Sequence, residues 1–406
     1  MSRSIAYPRG GHRLQLLQGS GEFFPALIEA FDTAQREIRL ETYIFDFEGR
    51  SADVASALER AALRGVSVKV VVDGYGTAPL PLIWEARFLR AGVDWRVYSP
   101  LGWLGMIWLR SWRRLHRKLC VVDGEVAFCG GINILDDFHD PNHGALTSPR
   151  LDFAVRVTGP LVFEVEATMK HLWLRMQAMR DIRKARLTGA LDSLRASGVG
   201  FGKARQKAAL REQPLSRAAL VLRDNLRNRG RIERAYRRAI GRARSEVIIG
   251  NAYFVPGRKM RQALVSAARR GVRVRLLLQG RYEYFMQYYA ARPIYSALLK
   301  AGVEIYEYSP SFLHAKVAVI DRRWATVGSS NLDPLSLLLA REANVVVDDA
   351  AFAEQLRDRL MQAILIEGRA MDPAEFSNRP WRQRVMEGIA LAAMRLALAV
   401  QGKRYL

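Results

Sequence analysis

The 406-residue sequence is poor in the features that mark secreted and membrane-spanning proteins. Cysteine occurs only at Cys120 and Cys129, within apolar strand-like runs, which excludes a disulfide framework and predicts two buried thiols. No run of 18 consecutive apolar residues is present, so no spanning helix is predicted. The opening residues, MSRSIAYPRGGHRLQLL, lack the apolar stretch of a secretory signal. We therefore expect a cytoplasmic protein whose membrane contact, if any, is peripheral.

Acidic residues are also scarce relative to basic ones. The chain has 63 Lys and Arg against 40 Asp and Glu, a formal net charge of +23. Such a surface attracts anions, and both nucleic acid and anionic lipid headgroups fit this requirement. Hydrophobic residues make up half of the chain, which is long enough for two domains with separate cores.

The two halves of the sequence repeat each other. EIRLETYIF (37–45) matches EVIIGNAYF (246–254), which we take to pair Tyr43 with Tyr253, and ALRGVSVKVVVDG (62–74) matches ARRGVRVRLLLQG (268–280). Amphipathic helical patterns alternate with short Val/Ile/Leu runs, as in βα units around a buried sheet. This pattern predicts an α/β fold of two duplicated sandwich domains related by a pseudo-twofold axis.

The predicted domains cover residues 1–180 and 222–370. Between them, residues 181–221 are basic and contain several glycines, which indicates a solvated linker or helices. A basic arm that contacts acidic headgroups is the alternative. Residues 371–406 form a predicted amphipathic tail.

Each half contains one His-x-Lys-x4-Asp motif: His116, Lys118 and Asp123 in the first, and His314, Lys316 and Asp321 in the second. A histidine and a lysine two residues apart on a strand project from the same face and can hold a phosphate between them. Asp123 is followed by Gly124, so we expect the motif's aspartate to lie in a hairpin turn with a structural role. One copy would be weak evidence, but two copies in phase are specific.

Small and amide residues follow both motifs at matching positions. Asn133 and Asn331 each lie 17 residues after their histidine, and Gly131 and Ser329 each lie 15 residues after it. Small residues let a ligand oxygen approach backbone N–H groups. We expect these four residues to bind the substrate phosphate.

Both motifs resemble the HKD motifs of the phospholipase D superfamily. Stretches such as LETYIFDFEGR, RLHRKLCVVDGEVAFCGGIN and HAKVAVIDRRWATVGSSNLDPLSL resemble the short two-domain bacterial cardiolipin synthases more narrowly. The resemblance implies two phospholipase D-like α/β/α sandwich domains with mixed sheets, one shared active site, and no metal or cofactor. It also implies that Asp152 and Glu342 orient the catalytic imidazoles; surface ion pairs are the alternative.

The function implied is transfer of a phosphatidyl group from phosphatidylglycerol to a second phospholipid, phosphatidylglycerol or phosphatidylethanolamine. The reaction would pass through a phosphohistidine, with His116 as nucleophile and His314 as acid and base by resemblance, although the pseudo-symmetry makes the roles nearly interchangeable. Lys118 and Lys316 would balance the phosphate charge. The expected partner is anionic phospholipid at the cytoplasmic face of the membrane, with no nucleic acid. Alternatives are a phospholipase D-type hydrolase, a phosphodiesterase or nuclease, and a non-catalytic membrane-binding protein.

Two segments are candidates for lipid contact. LGWLGMIWLRSWRR (101–114) is an insertion that only the first half carries, and packing on its own domain is an equal alternative. VMEGIALAAMRLALAV (385–400) could lie at the interface, although a docked helix is the preferred interpretation. His139 and His143 lie in a loop without further ligands at zinc-like spacing, so no metal site is expected.

Overall fold

The computed structural model describes residues 8–100, 113–183, 215–224, 228–281, 285–333 and 340–400. The first half contains strands β1 (Arg9–Gln18), β2 (Glu37–Thr42), β3 (Ser67–Asp73), β4 (Asp94–Tyr98), β5 (Arg114–Leu115), β6 (Lys118–Val122), β7 (Val126–Gly130), β8 (His139–Asp140), β9 (Gly144–Ala145) and β10 (Phe153–Thr158). Its helices are α1 (Gly19–Thr33), α2 (Arg50–Leu63), α3 (Leu82–Ala91) and α4 (Leu161–Arg183).

The second half repeats this order of elements. Its strands are β11 (Ser216–Arg223), β12 (Glu246–Asn251), β13 (Arg273–Gln279), β14 (Glu304–Tyr308), β15 (Lys316–Ile320), β16 (Trp324–Gly328), β17 (Ala340–Asp348) and β18 (Gly368–Ala370). Its helices are α5 (Arg231–Arg242), α6 (Arg258–Arg269), α7 (Phe285–Leu299), α8 (Ala350–Gln362), the π-helical turn Ala363–Glu367, α9 (Pro373–Ser377) and α10 (Trp381–Val400).

The strand order is the same in both halves. It runs β1-β10-β7-β6-β2-β3-β4 in the first and β11-β17-β16-β15-β12-β13-β14 in the second. The last three strands of each series are parallel and the others antiparallel, so both sheets are mixed. β1 pairs with β11 and joins the two sheets. The predicted duplicated α/β fold with mixed sheets is confirmed.

Three apolar layers hold the molecule together. α1, α2 and α3 cover the outer face of the first sheet, and α5, α6 and α7 cover that of the second. Between the sheets lies a shared core to which both contribute, for example Val121 and Val155 from one half and Val319 and Val345 from the other. Because both faces are covered, the strands are largely apolar, as in β15, where all five residues are buried and the four after Lys316 are apolar. Both cysteines are buried.

The turns after the motifs have a structural function. Asp123 has a φ of 54°, and its carboxylate accepts hydrogen bonds of 2.8 Å from the backbone N–H groups of Gln35, Arg36 and Glu37. Asp321 binds the three corresponding N–H groups before and at the start of β12. These carboxylates lie at the opposite ends of β6 and β15 from the motif lysines. The two aspartates therefore connect strands and lie away from the motif histidines and lysines.

The segments between and after the domains are described only in part. α4 ends at Arg183 and β11 begins at Ser216, both inside the predicted linker, while residues 184–214 lie outside the described ranges, as does most of the insertion, 101–112. The domain boundaries stay a prediction. In α10, Ala390 is buried against the helices of the second half, and buried Glu387 pairs with Arg379 at 3.3 Å. Over the described residues the helix is thus docked, and within those ranges no helix has the length and apolarity needed to cross a bilayer.

Candidate active site

The two motif histidines lie at the same edge of the molecule, where the halves meet. His116 lies three residues before Leu119, where β6 begins to pair with β2, and His314 lies two residues before Lys316, where β15 begins to pair with β12. Since β6 and β15 run antiparallel to their neighbours, both begin where the parallel strands end. This edge is where loops and helix starts can surround a ligand.

Each histidine is held by two consecutive residues of the opposite half. The backbone N–H of His116 donates to the carbonyl of Arg341 at 3.1 Å, and its Nδ1 lies 3.0 Å from Oε1 of Glu342. His314 donates its N–H to the carbonyl of Leu151 at 2.9 Å, and its Nδ1 lies 2.6 Å from Oδ2 of Asp152. The structure thus brings both predicted carboxylates to the imidazoles, and each carboxylate serves the histidine of the other half.

The electrostatics of the site favour the neutral form of both imidazoles. Burial lowers the pKa of both, and the nearby lysine charges lower it further, most strongly at His314. A neutral ring that donates Nδ1–H to a carboxylate presents the lone pair of Nε2 to a ligand. Burial raises the pKa of Asp152 to about 7. Burial also acts to raise the pKa of Glu342, but His116, Lys118 and Ser329 outweigh it and hold that pKa below its ordinary value.

The motif lysines are buried beside the histidines. Nζ of Lys118 donates to the carbonyl of His116 at 2.7 Å, Nζ of Lys316 donates to the carbonyl of His314, and Lys316 also lies 3.9 Å from Asp152. Burial, followed by repulsion from Lys316, lowers the pKa of Lys118 to about 7. Because Lys316 repels the charge of Lys118 in this buried site, an anion bound beside both lysines is favoured.

Gly131 and Ser329 lie against the carboxylates that contact the histidines. A Cβ at Gly131 would lie 2.2 Å from Oδ1 of Asp152, so glycine is required there for the carboxylate to fit. At the matching position Ser329 donates its hydroxyl to Oε2 of Glu342 and accepts from the N–H of Ala343 at 3.1 Å. Both positions therefore support the carboxylates that orient the histidines, and phosphate binding by these two residues stays a prediction.

The two asparagines are buried near the chain that follows β2 and β12. Oδ1 of Asn133 accepts from the N–H of Ile44 at 3.1 Å, which turns its amide nitrogen away from that loop. Asn331 is 2% exposed. Farther out, Nδ1 of His143 lies 2.9 Å from Oδ1 of Asp140. Within the described ranges, no three His, Cys, Asp or Glu side chains are grouped to hold a metal ion.

Tyr43 is a site residue that the sequence comparison misplaced. Its ring centroid lies 4.8 Å from that of His116, and Nζ of Lys118 lies 5.3 Å from the same ring. Strand bridges join Phe45 to Ile134 and Phe254 to Leu332, so the structural equivalent of Tyr43 is Ala252, and the expected pairing with Tyr253 was wrong by one residue.

Asp73 and Gln279 were missed. Oδ2 of fully buried Asp73 accepts from the N–H of Leu115 at 2.7 Å, and Oε1 of Gln279 accepts from that of Leu313 at 3.2 Å. Each thereby fixes the residue before a motif histidine. The signal was present in the repeats VVVDG and LLLQG, which both end an apolar strand on a polar residue.

Comparisons with known proteins agree with this geometry. A family model described as cardiolipin synthase, PLD-like domain, matches residues 27–147 and 236–364. Cardiolipin synthase B of Salmonella typhi is 38% identical over 374 residues, which cover 92% of this chain and 85% of the relative. That of Escherichia coli K12 is 38% identical over 375 residues with the same coverage, and cardiolipin synthase A of Erwinia tasmaniensis is 27% identical over 379 residues, covering 93% and 74%.

Solved structures support the fold alone. Phosphatidylserine synthase of Haemophilus influenzae matches with a TM-score of 0.67 at 13% identity, covering 97% of this chain and 96% of that one. A polyphosphate kinase from Porphyromonas gingivalis matches with a TM-score of 0.56 at 15% identity, covering 93% and 53%. The resemblance drawn from the sequence is confirmed: the chain belongs to the cardiolipin synthase, PLD-like domain family of the phospholipase D superfamily.

Proposed function

We propose that this chain is a cardiolipin synthase, a phosphatidyltransferase that moves a phosphatidyl group from phosphatidylglycerol to the headgroup hydroxyl of a second phosphatidylglycerol. Phosphatidylethanolamine, the other acceptor expected from the sequence, has an amine in place of that hydroxyl, so transfer to it would not give cardiolipin. The observation that carries the proposal is the convergence of two histidine–carboxylate pairs and two buried lysines at one edge. The similarity of the chain to cardiolipin synthase B supports a lipid substrate.

The first step is displacement at phosphorus. Nε2 of His116 attacks the phosphodiester, a P–N bond forms, and the P–O bond to the glycerol headgroup breaks. The His314–Asp152 pair starts this step with one additional proton, which it can hold because burial raises the pKa of Asp152 to about 7, and Nε2 of His314 gives that proton to the leaving oxygen. Lys118 and Lys316 balance the charge on the non-bridging oxygens, and the amides of Asn133 and Asn331 add hydrogen-bond donors.

The second step reverses this chemistry. His314 removes the proton from the acceptor hydroxyl, the acceptor oxygen attacks phosphorus, and the P–N bond breaks to release cardiolipin and free His116. Water in place of the acceptor would give phosphatidic acid, so exclusion of water from the phosphohistidine determines whether transfer or hydrolysis occurs. We place the enzyme peripherally at the cytoplasmic face of the membrane, where its positive charge meets anionic headgroups.

The direct test incubates the purified chain with phosphatidylglycerol vesicles, with and without phosphatidylethanolamine, and separately with single-stranded and duplex DNA. We expect cardiolipin and glycerol by mass spectrometry, and neither product from His116→Asn or His314→Asn. Cleaved DNA without a lipid product would refute the lipid assignment. Phosphatidic acid as the sole product would change the proposal to hydrolysis.

The assignment of the two histidines is tested by trapping. In His314→Asn, proton delivery is impaired but the nucleophile remains, so peptide mass spectrometry should find a phosphatidyl adduct on His116 after acid-free quenching. An adduct on His314 in the His116→Asn variant would exchange the two roles.

A further inference from the structure

Large apolar side chains are exposed on both sides of the active-site edge. In the first half Tyr75 is 66% exposed, Leu82 83% and Ile83 69%; in the second half Leu365 and Ile366 are each 74% exposed. Isolated exposed apolar residues are ordinary, but a group of them around a functional site marks a surface that binds something. We call these five residues the apolar rim.

The first-half part of the rim is connected to the site by hydrogen bonds. The N–H of Tyr75 donates to Oδ1 of Asp73 at 2.8 Å, and the other carboxylate oxygen holds Leu115, the neighbour of His116. The guanidinium carbon of Arg114 lies 5.3 Å from the ring of Tyr75. Leu82 and Ile83 begin α3, which follows the end of β3, so they lie at this same edge.

The second-half part lies across the site. Leu365 and Ile366 belong to the π-helical turn that leads into β18, where Gly368 pairs with Tyr308 at the end of β14. The adjacent Ile364 is buried in the core between the sheets together with Leu313, the residue before His314. The turn is therefore at the edge where the second histidine lies.

Cationic residues are interspersed with the rim. α2 and α6 both begin at this edge, after β2 and β12, and expose Arg50, Arg258 and Lys259 in their first turns. Arg281 donates to the carbonyls of Ser309 and Pro310, at 2.9 and 2.6 Å, beside the second histidine segment. Apolar side chains flanked by Arg and Lys match the boundary between acyl chains and anionic headgroups.

We infer that the apolar rim, with Arg50, Arg258 and Lys259, is the surface by which the protein binds an anionic bilayer, with the two histidines facing the headgroups. The inference rests on the proposed function, since a phosphodiester in a bilayer lies at headgroup depth and the edge carrying the histidines must reach it. A second copy of the chain fits this surface poorly, because two chains that each carry a net charge of +23 and expose cations beside the rim repel each other.

The test is co-sedimentation with vesicles of phosphatidylcholine containing phosphatidylglycerol, at moderate ionic strength. We expect the double variants Leu82→Gln/Ile83→Gln and Leu365→Gln/Ile366→Gln each to weaken binding several-fold and the quadruple variant to weaken it at least about tenfold, since each loses apolar burial in the interface. The matched control is Leu63→Gln/Leu89→Gln. These residues are 68% and 80% exposed but lie in the last turns of α2 and α3, away from the site, so binding should be unchanged.

A second substrate separates this inference from the proposed function. With water-soluble dihexanoyl phosphatidylglycerol below its micelle concentration, the quadruple variant should retain wild-type turnover while losing turnover on vesicles. If the unchanged protein bound vesicles through the rim but formed no lipid product, the proposed function would be refuted and the membrane-binding role of the rim would stand. Unchanged vesicle binding in the quadruple variant would refute the role of the rim in membrane binding. If light scattering also showed that this variant no longer self-associates, the rim would be a contact between copies of the chain.

Discussion

At the scale of single residues, the two histidine–carboxylate pairs are alike in geometry and different in electrostatics. Glu342 is held ionised beside His116, whereas buried Asp152 has a pKa of about 7 and shares its surroundings with Lys316. A persistent negative charge at Nδ1 raises the basicity of the far nitrogen, which suits a nucleophile. At the second pair, Asp152 can hold a proton near neutral pH, which suits proton transfer in both directions.

Removing either carboxylate charge should reduce chemistry much more than binding. In Glu342→Gln or Asp152→Asn the imidazole is no longer held in the Nδ1–H tautomer, so we expect kcat to fall on the order of 10²- to 10⁴-fold with little change in KM. Steady-state kinetics on phosphatidylglycerol measures both. Asp140→Asn is the matched control, because Asp140 contacts His143 at 2.9 Å in the same manner but outside the site. Full activity in both site variants would remove the orienting role.

The charge of Lys118 predicts how anion binding at the active site changes with pH. Lys118 is protonated below its pKa of about 7 and loses its charge above it, so the free enzyme binds anions less well as pH rises. Sulfate, which does not titrate in this range, should inhibit competitively with a Ki that rises up to about tenfold per pH unit above pH 7. In Lys118→Arg the charge persists, so the Ki should become flat with pH even if affinity is lower. A flat Ki in the unchanged protein would contradict the prediction.

The sequence predicts which residues react more reliably than it predicts which residues pack against them. His116, Lys118 and their second copies stand out because chemistry fixes their types and spacing. At Gly131 the sequence shows a small residue but not the carboxylate of Asp152 that packs against it. Tyr43 was misplaced because an apolar strand offers several equally good alignments, and only the strand bridges decide among them.

At the scale of elements, the motif aspartates connect the strand that carries the lysine to the strand beside it. Asp123→Ala removes three hydrogen bonds to backbone N–H groups at the start of β2, and we expect a loss of about 1–3 kcal/mol in the free energy of unfolding. Urea unfolding measures this. Turnover per folded molecule should change little, because the turn is at the far end of β6.

The control for this turn is Glu125→Ala. Glu125 lies two residues on, and its side chain is 71% exposed in an ion pair with Arg36, so its loss should change stability by less than about 0.5 kcal/mol. If Asp123→Ala were as stable as this control but inactive, the aspartate would belong to the chemistry after all.

The order of elements was predictable and their ends were not. Val/Ile/Leu runs and helical periodicity predicted the repeated βα units, because both faces of each sheet must be covered by apolar surface. The C-terminal helix shows the limit. Its pattern fits both interpretations given for it, and the structure shows Ala390 buried while Trp381, Val385 and Ile389 remain exposed.

At the scale of the whole molecule, the site exists only because the two sheets pack against each other. Within a half, Asp152 follows His116 by 36 residues and Glu342 follows His314 by 28, and these spacings carry no information about which pair meets. Each carboxylate contacts the histidine of the other half because the two sheets share one core. In that core Cys129 and Val155 of one half pack with Val327 and Val345 of the other. Tertiary packing of this kind cannot be read from periodicity.

The pairing of each carboxylate with the histidine of the other half can be tested without measuring turnover. The chain has only six histidines, so the ring resonances can be assigned by single substitutions and their pKa values followed by NMR titration. In Glu342→Gln the pKa of His116 should fall further, because the charge that raises it is gone, while that of His314 should move little. In Asp152→Asn the ring resonances of His314 should shift and those of His116 should not. The opposite pattern would mean that each half supplies its own carboxylate, in which case the two domains would hold separate sites and the single shared phosphate site would be wrong.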